Sequence, residues 1–511
     1  MDRELLQRNR AALGRRASLT VAAVSHYLAA AAASSPEVKA AAGDDAAVRF
    51  RADRGALLAA MLPLLRRACN RLVDDALAAL RREGWLGDAP PPATFREPRY
   101  QERVVLLALE RCLVNAAAPP LLVSPQPEPT LQDLLSTRPA VAVVFDQPLA
   151  ITHEFYPLVT DHFVSSLERA PDHPPLPALV GVQSEWLTST GDATRAIAFD
   201  AQLDVFVEAP CRQAVRPAAA LFLAVSGSAH ARLGQQLEDA GVTCLNPHRV
   251  AALADDKWAC FQRWQAAGVA TPPTALLARD ATAAQVRTAV AAFVAACPPW
   301  PGPTGSWLVQ PRHGTEGQGV IVVDAGTGVE TRVARAWEQT RAGDDAILRP
   351  RVGSAQLRLD GGPAAFDLRL HVVHDGNNGQ AESGYLLVAP PGQIITSVGR
   401  GGHTLPVGTL RDQGVADVDG AAAPWEQAAL DAACTLACSA STALGPLWLC
   451  GCDIKFDCRD HRLVPSILDL NPRPAGLLYA GLLAGDEAGV STRLWPAVGR
   501  QVHGCRGALA P

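Results

Sequence analysis

Gly451-Cys-Asp-Ile-Lys-Phe-Asp457 and, one turn later, Ile467-Leu-Asp-Leu-Asn-Pro-Arg-Pro-Ala-Gly476 decide how this chain is read. Two adjacent strands built from them would hold Asp453, Asp469 and Asn471 as hard oxygen ligands, with Asp469 and Asn471 two apart and so on one face. Acidic residues inside apolar strands are costly unless paired or metal-bound. Mg2+ is the compensation that this donor set suits. Arg473, between two prolines just after Asn471, is placed to hold a substrate carboxylate, and a surface ion pair accounts for it equally well.

Toward the N-terminus, Phe366-Asp-Leu-Arg-Leu-His-Val-Val373 alternates, which puts Asp367, Arg369 and His371 on one strand face. The planar fork of Arg369 suits a phosphoryl group or a carboxylate, while an ion pair with an Asp explains the same pattern. Ala346-Ile-Leu-Arg-Pro-Arg351 precedes it. Earlier still, Trp307-Leu-Val-Gln-Pro-Arg-His-Gly-Thr-Glu-Gly-Gln-Gly-Val-Ile-Val-Val323 reads as strand, Gly-rich turn, strand. Gly314, Gly317 and Gly319 permit positive φ, so consecutive N–H groups can face a polyphosphate. The turn lacks the Gly-Lys-Ser/Thr ending of a P-loop and runs into a strand, which argues against both Walker A and a Rossmann fingerprint. Asn246-Pro-His-Arg and Leu253-Ala-Asp-Asp-Lys257 lead into a helix to Ala267; Gly268 stops it and Pro272-Pro273 force an extended exit.

Lys257 is one of three lysines (Lys39, Lys257, Lys455) among 46 Lys and Arg. In a chain so biased toward Arg, a surviving Lys is a candidate for chemistry, with chance the rival explanation. Between about 135 and 245, short apolar runs such as Ala140 to Phe145 and Ala220 to Val225 alternate with helical patterns, which predicts an α/β layer with a parallel sheet. Ser226-Gly-Ser228 could cradle a phosphate, but a tight βα turn explains it better. A Pro-rich linker, Pro119 to Pro129, separates this layer from residues 1–118, which read as mostly helical and carry no catalytic motif.

The 511 residues are 48% hydrophobic with a net charge of -5, which excludes disorder, collagen and coiled coil and leaves no basic block for nucleic acid. The Ala-rich run from Val21 to Ala33 is too short for a membrane span and contains His26. Residues Met1 to Arg10 lack a signal-type apolar stretch, so a cytoplasmic location is expected, with the twelve cysteines as thiols.

The order of these motifs (Asp-Lys helix, Gly-rich hairpin, Asp-Leu-Arg strand, Gly-Gly loop, Asp…Asp-x-Asn) resembles the ATP-grasp superfamily over roughly residues 246–505. The likeness is to its carboxylate–amine ligase type, which includes D-alanine–D-alanine ligases, glutathione synthetases and amino-acid ligases. The resemblance implies an α/β and α+β protein. An ATP-grasp domain at 246–511 would grip ATP between a lid-bearing subdomain (about 246–346) and a metal-bearing one (about 347–505). A pre-ATP-grasp α/β domain at 119–245 and the helical region at 1–118 would precede it. It also implies ATP and two Mg2+ ions. Matched motif to motif, Lys257 looks like the lysine that contacts nucleotide, and Gly314, Thr315, Gly317 and Gly319 look like the phosphate lid. Arg349 and Arg351 lie at the adenine-binding hinge, and Asp453, Asp469 and Asn471 look like the metal ligands. Gly399-Arg-Gly-Gly-His403 resembles the loop near the reacting carboxylate, with Arg400 as oxyanion stabiliser beside Arg369 and Arg473.

Three positions depart from the family pattern. Gln310 stands where a lysine is usual before the lid, which leaves Arg312 and His313 as candidates to replace its charge. The hinge, where Glu commonly meets ribose, reads Arg349-Pro-Arg351. Asp469 replaces the usual Glu; it is one methylene shorter, still ligates Mg2+, and occurs in kinase-like branches as well as in ligases. The implied activity is ATP-dependent amide formation between a carboxylate and an amine through an acyl phosphate, on amino acids or small peptides in biosynthesis. Asp469 keeps open a kinase acting on a small-molecule hydroxyl, and Gln310 a nucleotide-binding module without catalysis. Small-molecule substrates are the expected partners, without nucleic acid or membrane, and the general frequency of symmetric pairs favours a homodimer.

Other clusters have plainer readings. Cys450, Cys452, Cys458 and His461 do not follow a standard zinc spacing. Cys434 and Cys438, four apart on an apolar helix, read as core thiols. His371 and His374 cannot share a strand face at a spacing of three. Trp258 and Trp264 read as packing.

Overall fold

The computed structural model describes residues 74, 78, 121–124, 126–146, 150–167, 174–200, 205–297, 305–314, 317–340, 343–376, 378–484 and 489–507. Apart from Asp74 and Ala78, both helical, the region read as helical over 1–118 lies outside the described residues, and so does Thr315. The chain forms two compact units, one of residues 1–245 with 498–511, the other of residues 246–497.

In the first unit, strands β1 (Leu121–Val123), β2 (Ala140–Phe145), β3 (Ala178–Gln183), β4 (Ala193–Asp200), β5 (Val205–Val215), β6 (Ala219–Phe222) and β7 (Thr243–Cys244) form one sheet in the order β1-β5-β4-β3-β2-β6-β7. Helices α1 (Pro129–Thr137), α2 (Tyr156–Leu167) and α3 (Gly227–Asp239) alternate with them. Strands β2 and β6 are buried along their whole length, as apolar runs inside a covered sheet require. The predicted parallel sheet is mixed instead. β2 pairs parallel with β3 and β6, whereas β4 runs antiparallel to both β3 and β5. Only residues 201–204 link β4 to β5, too few for a crossover helix, so the chain must turn back as a hairpin. Ser226 accepts a hydrogen bond from the Ala229 N–H at 3.2 Å and caps α3, the helix-starting role read from its turn.

The second unit contains two sheets. Strands β8 (Ala275–Leu277), β9 (Trp307–Pro311), β10 (Ile321–Val323) and β11 (Ala346–Pro350) form a four-stranded antiparallel sheet in the order β10-β9-β11-β8. Helices α4 (His248–Asp255) and α5 (Lys257–Ala266) precede this sheet in sequence. Its core joins Val309 and Leu348 to Val290 of α6 (Ala283–Ala296) and to Val333 and Trp337 of α7 (Val329–Thr340).

The larger sheet comprises β12 (Gln356–Leu359), β13 (Gly362–His374), β14 (Gly379–Val388), β15 (His403–Leu405), β16 (Val415–Ala416), β17 (Ala422–Ala423), β18 (Leu449–Arg459), β19 (Arg462–Asn471) and β20 (Gly481–Leu482). Its buried face meets Leu430, Ala433, Ala437 and Leu444 from the long helix between residues 427 and 444. Small side chains at Ala433 and Ala437 let that helix approach closely, and Cys434 and Cys438 pack beside them as the expected core thiols. Trp264 is buried, its indole N–H donating to Ala440 O at 3.0 Å. The nine cysteines from Cys211 to Cys458 are all free. No helix among the described residues is long and apolar enough to cross a membrane.

One side chain ties the ends of the central strands. Fully buried Asn246 donates to Leu449 O at 2.7 Å and to Pro472 O at 2.6 Å, and its own oxygen accepts from the Trp448 and Leu449 N–H groups. Removing it orphans backbone groups at the start of β18 and just beyond β19. Asn246→Ala is therefore expected to lower unfolding free energy by about 3 kcal/mol, read as a shifted denaturation midpoint.

Candidate active site

Antiparallel register places chemistry-bearing residues side by side at the centre of the larger sheet. Arg369 on β13 lies opposite Asp453 on β18, which lies opposite Asp469 on β19; one step along, Gly451 faces Asn471. Arg369 donates from Nε and Nη2 to the two oxygens of Asp453, both at 2.7 Å. Two residues away on each strand, Lys455 Nζ lies 2.5 Å from Asp367 Oδ1, and the Thr396 hydroxyl donates to the same carboxylate. The four charges thus alternate along and across the strands.

Burial pushes the Asp367 carboxyl up, against the pull of Lys455. Burial also opposes the charge on Arg369, but Asp453 more than restores it and holds the guanidinium above its ordinary range.

Register sets Asp453 across from Asp469, with Asn471 two residues further along β19. Asp469 is the open member, with 35% of its side chain exposed against 17% for Asp453. Asn471 Oδ1 accepts from the Arg473 N–H at 2.9 Å and retains a second lone pair. Three oxygen donors on neighbouring strands fit a hard dication. No three His, Cys, Asp or Glu side chains gather into a metal group among the described residues. His371 is fully buried beside Ser383 Oγ at 3.1 Å; burial and then Arg369 push its pKa down to about 3, so it is neutral near pH 7.

Lys257 opens α5, and Asp256 caps that helix by accepting from the Trp258 and Ala259 N–H groups. The Lys257 ammonium donates to Gly314 O at 2.5 Å and lies 3.5 Å from Asp469 Oδ2. Gly314, Gly317 and Gly319 have φ of 135°, 67° and 70°, the positive values their turn was expected to need.

The foot of the turn is anchored by charge. Arg312 binds Asp256 through Nε and Nη2 at 2.9 and 2.6 Å and Asp345 through Nη1 at 3.0 Å. His313 Nδ1 lies 3.0 Å from Asp344 Oδ2. Both candidates to replace the missing lysine are thus engaged as anchors.

Gln310 and Arg349 are buried together on β9 and β11. The Gln310 amide oxygen accepts from Arg349 Nε at 3.0 Å and from Nη2, and Arg349 Nη1 donates to Leu468 O at 2.9 Å. Burial lowers the pKa of Arg351, a half-buried neighbour. Arg473 is buried, not at the surface, and its Nη2 meets both oxygens of Asp255 at 2.6 and 2.7 Å. Arg400 stands apart, exposed at the end of the turn Val398–Arg400, with no ion pair to a described carboxylate. Gly402 lets that loop fold back, since a Cβ would fall 2.3 Å from Thr396 O.

Sequence reading missed Asp255, Asp256, Asp345 and Lys455 as members of this constellation. Lys455 carried a signal in the scarcity of lysine, and Asp255-Asp256 in standing directly before Lys257. Asp345 carried none, because its partner is set by the pairing of β9 with β11.

Solved structures similar to the chain include a D-cycloserine synthetase, 17% identical, covering 71% of this chain and 99% of that one at a TM-score of 0.43. The D-alanine-D-alanine ligase from Coxiella burnetii is 12% identical over 73% of this chain and 98% of its own, at a TM-score of 0.44. D-alanyl-alanine synthetase A from Vibrio cholerae is 11% identical over 72% and 99%, at 0.43. The chain is similar to these in outline. No protein-family model and no curated protein matches it. Likeness of that degree leaves the chemistry to be read from the chain's own side chains.

Proposed function

We propose that this protein is an ATP-dependent ligase that joins a carboxylate to an amine through an acyl phosphate, acting on amino acids or small peptides. One observation carries the reading: the Lys257 ammonium reaches both Gly314 O in the Gly-rich turn and Asp469 in the oxygen-ligand set. A polyphosphate lying between turn and carboxylates would meet the turn's N–H groups and Lys257 while its counter-cation met Asp453, Asp469 and Asn471. When bound, ATP supplies the phosphoryl group, and Mg2+ held by those three residues screens its charge.

A carboxylate substrate and ATP repel each other, so fixed cations must line their approach. Lys257 and Arg369 take that role, with Arg369 held in one orientation by both oxygens of Asp453. The Gly-rich turn keeps water from the acyl phosphate until the amine attacks. Arg400, exposed on its loop, is the residue we assign to the developing oxyanion. Arg473, held by Asp255, fixes the turn beyond Asn471.

The test is a screen of amino-acid pairs with purified protein and Mg2+–ATP. ADP and phosphate are expected in equal amounts only when both a carboxylate and an amine are present. A stable phosphorylated product would replace the ligase with a kinase, and nucleotide binding without ADP release would reduce it to a binding module.

A further inference from the structure

Three Lys or Arg side chains are buried among the described residues: Arg349, Lys455 and Arg473. Lys455 is neutralised by Asp367 and Arg473 by Asp255. Arg349 is different. It has no described carboxylate within 4 Å, and its partners are a neutral amide and a neutral carbonyl, Gln310 and Leu468. A guanidinium has five N–H donors, and those two partners take three of them. Burial opposes its charge and lowers the pKa of the guanidinium to about 10, and Asp469, beyond ion-pair distance, offsets only part of that cost. An incoming anion could take the two remaining N–H donors and complete the compensation that Asp469 begins.

Placement says which anion. Leu468 directly precedes Asp469, and Gln310 lies on β9, the strand that runs into the Gly-rich turn. Arg349 itself pairs with Leu308, and its guanidinium reaches from Gln310, two residues before Arg312, to the residue that precedes the open oxygen ligand. We propose that Arg349 binds a phosphate of the nucleotide, and that Gln310 is a positioning residue whose amide oxygen aims the guanidinium. This rests on the proposed function, because it takes ATP as the ligand. Gln310 on this account is not a weakened nucleotide contact; it aligns a cation carried by the neighbouring strand.

Calorimetric titration of the full chain with ATP and with adenosine tests the assignment. Arg349→Gln is expected to weaken ATP binding at least tenfold while adenosine affinity stays within twofold, since only ATP carries phosphate. Gln310→Ala should weaken ATP binding severalfold with the same indifference to adenosine, and Arg349→Lys should fall between wild type and Arg349→Gln. ATP affinity unchanged in Arg349→Gln overturns the proposal. So does an equal loss for both ligands, which would make Arg349 a base-binding or purely structural residue. If Arg349→Gln does not fold, Gln310→Ala and Arg349→Lys decide by the same ATP-to-adenosine comparison. Wild-type protein that binds ATP but never forms an amide would remove the ligase reading and leave this one standing. Wild-type protein that binds no ATP removes both.

Discussion

Arg369→Ala is expected to lower kcat by about 10²- to 10³-fold while changing ATP affinity less than about threefold. The asymmetry follows from the role assigned to this guanidinium. It faces charge that moves during phosphoryl transfer, whereas Lys257 and the Gly-rich turn hold the nucleotide at rest. The substitution also strands Asp453, whose two oxygens both accept from Arg369. Breaking a buried pair on one side costs about 3–5 kcal/mol, so the variant's melting temperature must be measured beside its kinetics. Arg369→Lys keeps the charge but gives up the two-pronged grip, and should recover part of kcat. A folded Arg369→Ala protein with unaltered kcat would take Arg369 out of the mechanism.

Asp469→Asn should be still more damaging to turnover, by about 10³-fold, and yet nearly silent in stability. Its contribution lies in the charge offered to a dication, where several kcal/mol of stabilisation corresponds to about that factor. Folding should scarcely notice, because Asp469 is partly exposed and its nearest cation, Lys257, stands 3.5 Å away. Asn keeps the shape and one oxygen donor. The check is nucleotide binding titrated against Mg2+: wild type should bind more tightly as Mg2+ rises, and the variant should lose most of that response. Activity within tenfold of wild type would mean that Asp453, Asp469 and Asn471 are not a metal site.

The pieces legible in the sequence were those encoded locally. Alternation in Gly451 to Asp457 and Ile467 to Asn471 sufficed to pair β18 with β19, since one-residue slips would expose an apolar face. Glycines at 314, 317 and 319 marked positive φ, and the Asp-Lys step marked the start of α5. What stayed hidden was set by partners far away in the chain. Nothing near Asn246 says that its amide will bind the ends of strands about two hundred residues on. Gln310 looked like a missing charge because the guanidinium it aligns comes from another strand. The upstream sheet looked parallel because burial, not direction, makes a strand uniformly apolar. The β4–β5 hairpin shows itself only in a short connection.

The alternating arrangement of Asp367, Lys455, Arg369 and Asp453 bears on how a ligand finds this site. Opposed couples form an electrical quadrupole, and its field dies away within a few ångströms where that of a lone charge would reach a Debye length, about 8 Å in physiological salt. Such a patch broadcasts little into solvent. These four groups would therefore steer anions little from a distance, and any dependence of encounter on ionic strength should come from Lys257 and Arg349 instead.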